Sequence, residues 1–104
     1  MKTALQQALQ LIKKGDLYQA EQLLTKVNEQ QPKQEELLSL LGHTLMKQGK
    51  YSAAVNIFET LVNYYPKSHL AFGELGSALL SLGNLEQAEK SYQKAIELNN
   101  NYSE

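Results

Sequence analysis

Glycine recurs at a fixed interval in this chain: Gly15, Gly49 and Gly83 are each 34 residues from the next. Ala20, Ala54 and Ala88 keep the same step, as do Leu11, Leu45 and Leu79, and the bulky series Leu24, Phe58 and Tyr92. Pro32 and Pro66 repeat it, with Asn100 where a third proline would fall. A chain that copies itself at this period is built from one supersecondary unit. Such a unit cannot bury its apolar side alone and must stack on its neighbours. Three units, about 1–34, 35–68 and 69–102, tile the 104 residues as one domain without an insertion.

Within a unit the apolar spacing is helical. Leu38, Leu41, Gly42 and Leu45 fall on one face of a first helix, which Gly49 ends because glycine tolerates the left-handed backbone of a C-terminal cap. A second helix begins near Tyr51, carries Ala54, Val55, Phe58, Leu61 and Val62 inward, and stops at Pro66. Asp16 and Asn84 occupy the equivalent helix starts and are expected to cap them. Lys50 lacks an acceptor, so the second turn is expected to be the weakest-capped of the three. Gly42, Gly76 and Ala8 oppose Ala54, Ala88 and Ala20, which lets the paired axes approach to the short end of ~8–10 Å. The six glycines are all assigned to turns and close packing on this reading.

Composition narrows the function. Ten basic and eleven acidic residues give a net charge of −1, which supplies no field to attract nucleic acid or an anionic membrane. Cysteine is absent, which excludes disulfides and thiolate metal sites. No apolar run suits a signal peptide or a membrane span, so a cytoplasmic location is expected. His43 and His69 lie in different units without an acid at metal-ligand spacing, and Glu35-Glu36 read as favourable partners of a helix dipole. No phosphate loop, nucleophile elbow or zinc-binding helix pair occurs. No catalytic residue, metal site or cofactor is expected, and the chain reads as a non-enzyme.

The spacing Leu38-x2-Leu41-Gly42-x2-Leu45, with Ala54-x3-Phe58 and Pro66, resembles the tetratricopeptide repeat. Phe72-x2-Leu75-Gly76-x2-Leu79 with Ala88-x3-Tyr92 resembles it again, while Ala4, Gln7 and Ala8 give a looser first copy. The resemblance implies an all-α fold, an α-solenoid of three helix-turn-helix repeats forming a right-handed superhelix. It also implies a protein-interaction scaffold whose first helices line a concave groove for a partner peptide or helix. By that analogy the groove comprises Leu5, Leu9, Ile12, Leu40, His43, Met46, Lys47, Gly73, Glu74, Ser77 and Leu80, with Gln6, Lys13, Ser39 and Leu70 beside them. It is expected to be largely apolar, rimmed by Gln6, Lys13, Lys47 and Glu74, with His43 able to bond a peptide carbonyl. Part of this stripe is equally readable as packing between repeats.

Chaperone-binding members of the family hold a C-terminal carboxylate with lysine, arginine and asparagine side chains. The matching places here are Leu5, Leu9, Leu40, Leu70 and Glu74, so no such tail is expected to bind. Of the tyrosines, those at 51, 64, 65 and 92 are read as packing or helix-end residues, and Tyr18 and Tyr102 as partly exposed. The last unit is expected to leave an apolar flank at Leu85, Ala88 and Ile96, to be covered by further sequence or by a second copy. The chain is thus read as a binding module or, alternatively, as an N-terminal spacer or self-association segment of a larger multidomain protein.

Overall fold

The computed structural model describes residues 3–101. Six helices follow one another, α1 Ala4–Lys14, α2 Leu17–Gln30, α3 Glu35–Lys47, α4 Tyr51–Tyr64, α5 His69–Leu82 and α6 Leu85–Asn101. The second helices α2, α4 and α6 start at Leu17, Tyr51 and Leu85, at the sequence period, and the turns before them keep it too. Gly15, Gly49 and Gly83 all adopt left-handed backbone (φ 86°, 78° and 94°). In each turn the next residue's N–H reaches back to a leucine carbonyl: Asp16 to Leu11, Lys50 to Leu45 and Asn84 to Leu79, at 2.8–2.9 Å. One glycine-dependent turn therefore closes every helical pair.

The capping expectation fails at Asp16, whose side chain makes no cap bond at the start of α2. The backbone turn already fixes the start of the second helix, so that capping contact is dispensable. Lys50 is also without a cap bond, but its Nζ donates to Glu21 Oε1 at 2.9 Å and Gln48 Nε2 donates to the same oxygen at 2.8 Å. The second turn is thus tied to α2 of the preceding pair. Side-chain capping appears instead on two of the first helices, α1 and α5, and not on α3. Thr3 and Gln6 form a reciprocal capping box on α1, and Ser68 accepts from the Ala71 N–H on α5.

Each pair is closed by complementary volumes at the crossing. A methyl group on Gly42 would stand 2.3–2.9 Å from the Phe58 ring, and one on Gly76 would stand 3.0–3.1 Å from the Tyr92 ring. The first pair solves the same crossing with Ala8 and Leu24, both fully buried: a methyl is present, and the ring is absent. Gly73 departs from the expectation that every glycine turns or packs tightly. It is helical, and space for a Cβ is open there.

Comparing equivalent positions shows how the pairs stack. Leu37 and Thr44 on α3, and their equivalents Ala71 and Ala78 on α5, are buried, whereas the matching residues of the first pair, Thr3 at the cap of α1 and Gln10 within it, are exposed. The difference is the preceding helix pair, present for α3 and α5 and absent before α1 among the described residues. At the other end Val62 is buried while its equivalent Ile96 is 59% exposed. Leu80, Leu82 and Leu85 are exposed at the same end. Ala88 is not part of that open flank: it is buried between α5 and α6 with the rest of the core. The tyrosine hydroxyl of Tyr65 donates to the Lys33 carbonyl, fastening α4 to the α2–α3 connection.

Candidate functional site

The first helices of successive pairs share one surface, and a groove of about 720 Å³ runs across it. Its apolar lining is four leucines, Leu5 and Leu9 from α1, Leu40 from α3 and Leu70 from α5. Leu9 is 46% and Leu70 68% exposed, while Leu5 and Leu40 rest partly on the core. Helical pitch explains the arrangement: each first helix spends one face on its partner, another on the neighbouring pair, and has the remaining strip left over.

Polar side chains converge at the α3–α5 junction. Glu74 Oε2 accepts from Ser39 Oγ and lies 2.5 Å from each of Ser39 Oγ and His43 Nε2. His43 also meets the Phe58 ring edge-on, with centroids 5.8 Å apart, so its ring is steered from below and from the side. The bond to Glu74 raises the imidazole pKa above the ordinary histidine value, against opposing contributions from burial and from Lys47. Glu35 accepts from Ser68 Oγ at 3.1 Å. Glu36 lines the groove without a hydrogen bond or ion pair to any described residue. No group of His, Asp and Glu residues capable of holding a metal ion occurs among the described residues.

Of the side chains expected in the groove, the structure brings together Leu5, Leu9, Leu40, His43 and Glu74, with Ser39 and Leu70 beside them. Ile12, Met46, Lys47, Gly73, Ser77 and Leu80 do not line it. Ile12 and Met46 occupy equivalent positions and are partly covered, and Met46 packs on the core; their equivalent Leu80 is 51% exposed. That column is thus partly covered at Ile12 and Met46 and open at Leu80, and it lies outside the groove. Ser77 is engaged with the Tyr92 hydroxyl at 3.0 Å. The expected mixed rim is also revised. Gln6 is held in its capping box, and Gln6 and Lys13 border a separate shallow cleft of about 310 Å³ with Leu9 and Gln10. The titratable residues that border the main groove are Glu35, Glu36 and Glu74, with His43 bonded to Glu74.

Comparison with known proteins agrees with this architecture. The tetratricopeptide repeat family model matches residues 39–103. The chain belongs to the tetratricopeptide repeat family. Its fold is similar to that of MamA MSR-1, with a TM-score of 0.86 and 23% identity over 95% of this chain and 57% of that one. MamA from Desulfovibrio magneticus RS-1 is similar at a TM-score of 0.82 and 27% identity, covering 91% of this chain and 54% of that one. The first tetratricopeptide repeat domain of Spaghetti (RPAP3), solved with the HSP90 peptide SRMEEVD, shares the fold at a TM-score of 0.82 and 23% identity, over 88% of this chain and 73% of that one. In sequence, 49 residues are 41% identical to heat shock protein STI1 of Saccharomyces cerevisiae, a match that spans 47% of this chain and 8% of that protein. Tetratricopeptide repeat proteins are in general interaction scaffolds rather than enzymes. No helix among the described residues is long and apolar enough to cross a membrane.

The sequence reading missed Glu35 and Glu36 as groove residues. A signal was available: Glu36 stands 34 residues before Leu70, so both belong to one column on successive first helices. Their place at a helix start suggested a dipole role that hides this second one.

Proposed function

We propose that this chain is a binding module that holds a segment of a partner protein against the leucine groove. Its three repeats, about 1–34, 35–68 and 69–102, act as one domain and wind as a right-handed superhelix with α1, α3 and α5 on the concave side. The observation that carries the reading is the exposure of Leu9 and Leu70 beside Leu5 and Leu40 in a groove of about 720 Å³. Exposed leucines that line a concavity mark a contact surface more strongly than scattered ones. The partner is a protein rather than nucleic acid, because carboxylates border the groove and no Lys or Arg lines it among the described residues. Catalysis is not part of this reading.

Capture of partners by the wild-type chain and by a Leu9→Glu, Leu70→Glu variant tests the proposal. Both side chains are exposed, so the variant keeps its helical circular dichroism. Loss of specific partners from the variant supports the reading, and an unchanged set refutes it. Met46 is unsuitable for this purpose, because it packs on the core.

The second reading, a spacer or self-association segment of a larger protein, draws on the exposed Leu80, Leu82, Leu85 and Ile96 at the end of the stack. Light scattering over a range of concentrations addresses it: growth of the particle with concentration favours self-association, and a constant monomer removes it.

A further inference from the structure

The groove's leucines define a contact surface but do not choose among apolar partners; its charges do. Glu35, Glu36 and Glu74 line it, its one basic side chain is His43, already bonded to Glu74, and no lysine lines it among the described residues, although the chain as a whole is nearly neutral at −1. The imbalance is therefore local to the groove. The three carboxylates are differently placed. Glu36 is exposed and unpartnered among the described residues. Glu74 is partly buried between Ser39 and His43, with both bonds on the same oxygen. Glu35 stands over the first turn of α5 through Ser68. Leucines come from α1, α3 and α5, while the carboxylates come from α3 and α5, so the groove is apolar along its length and negative toward one side.

We infer that the groove takes a protein segment that is apolar on one face and carries lysine or arginine beside it. The inference rests on the groove function proposed above and specifies its partner. Apolar side chains of the segment settle among Leu5, Leu9, Leu40 and Leu70, and its cations lie toward Glu36 and Glu74. An acidic segment would bring like charges together in the same place, a mismatch that costs affinity and rejects wrong partners. Glu36 is the residue best placed to act on partner choice alone, because it has no structural bond among the described residues.

The test uses two short amidated peptides with leucines at helical spacing, one with lysines and the other with glutamates at the intervening positions, titrated into the full chain by fluorescence anisotropy. The lysine peptide is expected to bind about tenfold more tightly at low ionic strength, as a few partly exposed charge pairs would give. The ratio shrinks as salt is raised. Glu36→Gln is expected to lower the ratio, and Glu36→Gln with Glu74→Gln to bring it close to one. Leu9→Ala with Leu70→Ala is expected to weaken the lysine peptide severalfold, which places it in the groove. Equal binding of the two peptides, or tighter binding of the glutamate peptide, with the leucine dependence intact, overturns the charge inference and leaves the groove function standing. Binding of neither peptide, or binding that ignores the leucine substitutions, overturns the groove function and this inference with it.

Discussion

Replacing Gly42 by alanine should destabilise the protein although alanine is the better helix former. The added methyl would lie 2.3 and 2.4 Å from Phe58 Cε1 and Cζ, more than 1 Å inside the ~3.5–4.0 Å that carbon atoms prefer. Phe58 is 1% exposed, so its ring has nowhere to retreat without parting α3 from α4. Overpacking of this kind costs typically 1–3 kcal/mol, occasionally more, and the helix-propensity gain of about 1 kcal/mol offsets part of it. With the clash placing the cost in the upper part of that range, we expect a net loss of about 1–2 kcal/mol by urea unfolding. Two companions make the reasoning sharper. Gly76→Ala meets Tyr92 at 3.0–3.1 Å, and that ring is only partly buried, so a loss below about 1 kcal/mol is expected. Gly73→Ala meets nothing within 4 Å and should gain about 0.5–1 kcal/mol. Phe58→Leu should rescue Gly42→Ala in part, since Ala8 with Leu24 is the solution the first pair already uses. A Gly42→Ala protein as stable as wild type, or no coupling with Phe58→Leu in a double-mutant cycle, would refute the packing argument.

Other outcomes follow from single contacts. Asn28 Oδ1 is buried without a hydrogen-bond partner among the described residues, and the equivalent positions hold Val62 and Ile96, so Asn28→Val should raise stability by about 1 kcal/mol in the same unfolding assay. Tyr65→Phe removes the bond to the Lys33 carbonyl and should cost about 1 kcal/mol. Glu74 raises the His43 pKa, so the folded state favours the protonated imidazole. That contribution is complete below the unfolded value near 6.5 and is lost as pH rises through the raised one; melting temperature against pH should show the decline, and Glu74→Gln should abolish it. A peptide ending in the chaperone Glu-Glu-Val-Asp type of tail should not bind, because by the family resemblance leucines and Glu74 replace the lysine, arginine and asparagine side chains of a carboxylate clamp; anisotropy with micromolar affinity would contradict this.

The helices, their turns and the crossings were legible because each rests on a local rule repeated at one period. Gly49 ends a helix by its own backbone, and Gly42 requires an absent Cβ whatever surrounds it. The groove was legible only in part, since it depends on which strip of each first helix its neighbours leave open. Leu5, Leu9 and Leu40 stay in that strip, whereas Ile12 and Met46, apolar and similarly spaced, are partly covered outside it. Sequence spacing alone does not distinguish an exposed leucine from one covered by a neighbour. The tie between His43 and Glu74 joins different repeats 31 residues apart, and the ion pair of Lys50 with Glu21 spans 29. Both separations fall off the 34-residue period, so the repeat spacing does not reveal them.

The most direct test of a leucine groove that accepts a cationic segment is to follow the backbone amide resonances of the labelled chain as the lysine peptide is added. Shifts concentrated at Leu5, Leu9, Glu36, Leu40, His43, Leu70 and Glu74, with α2, α4 and α6 quiet, are the predicted result. Shifts centred instead on the exposed end at Leu85 and Ile96, or spread evenly over the surface, would contradict it.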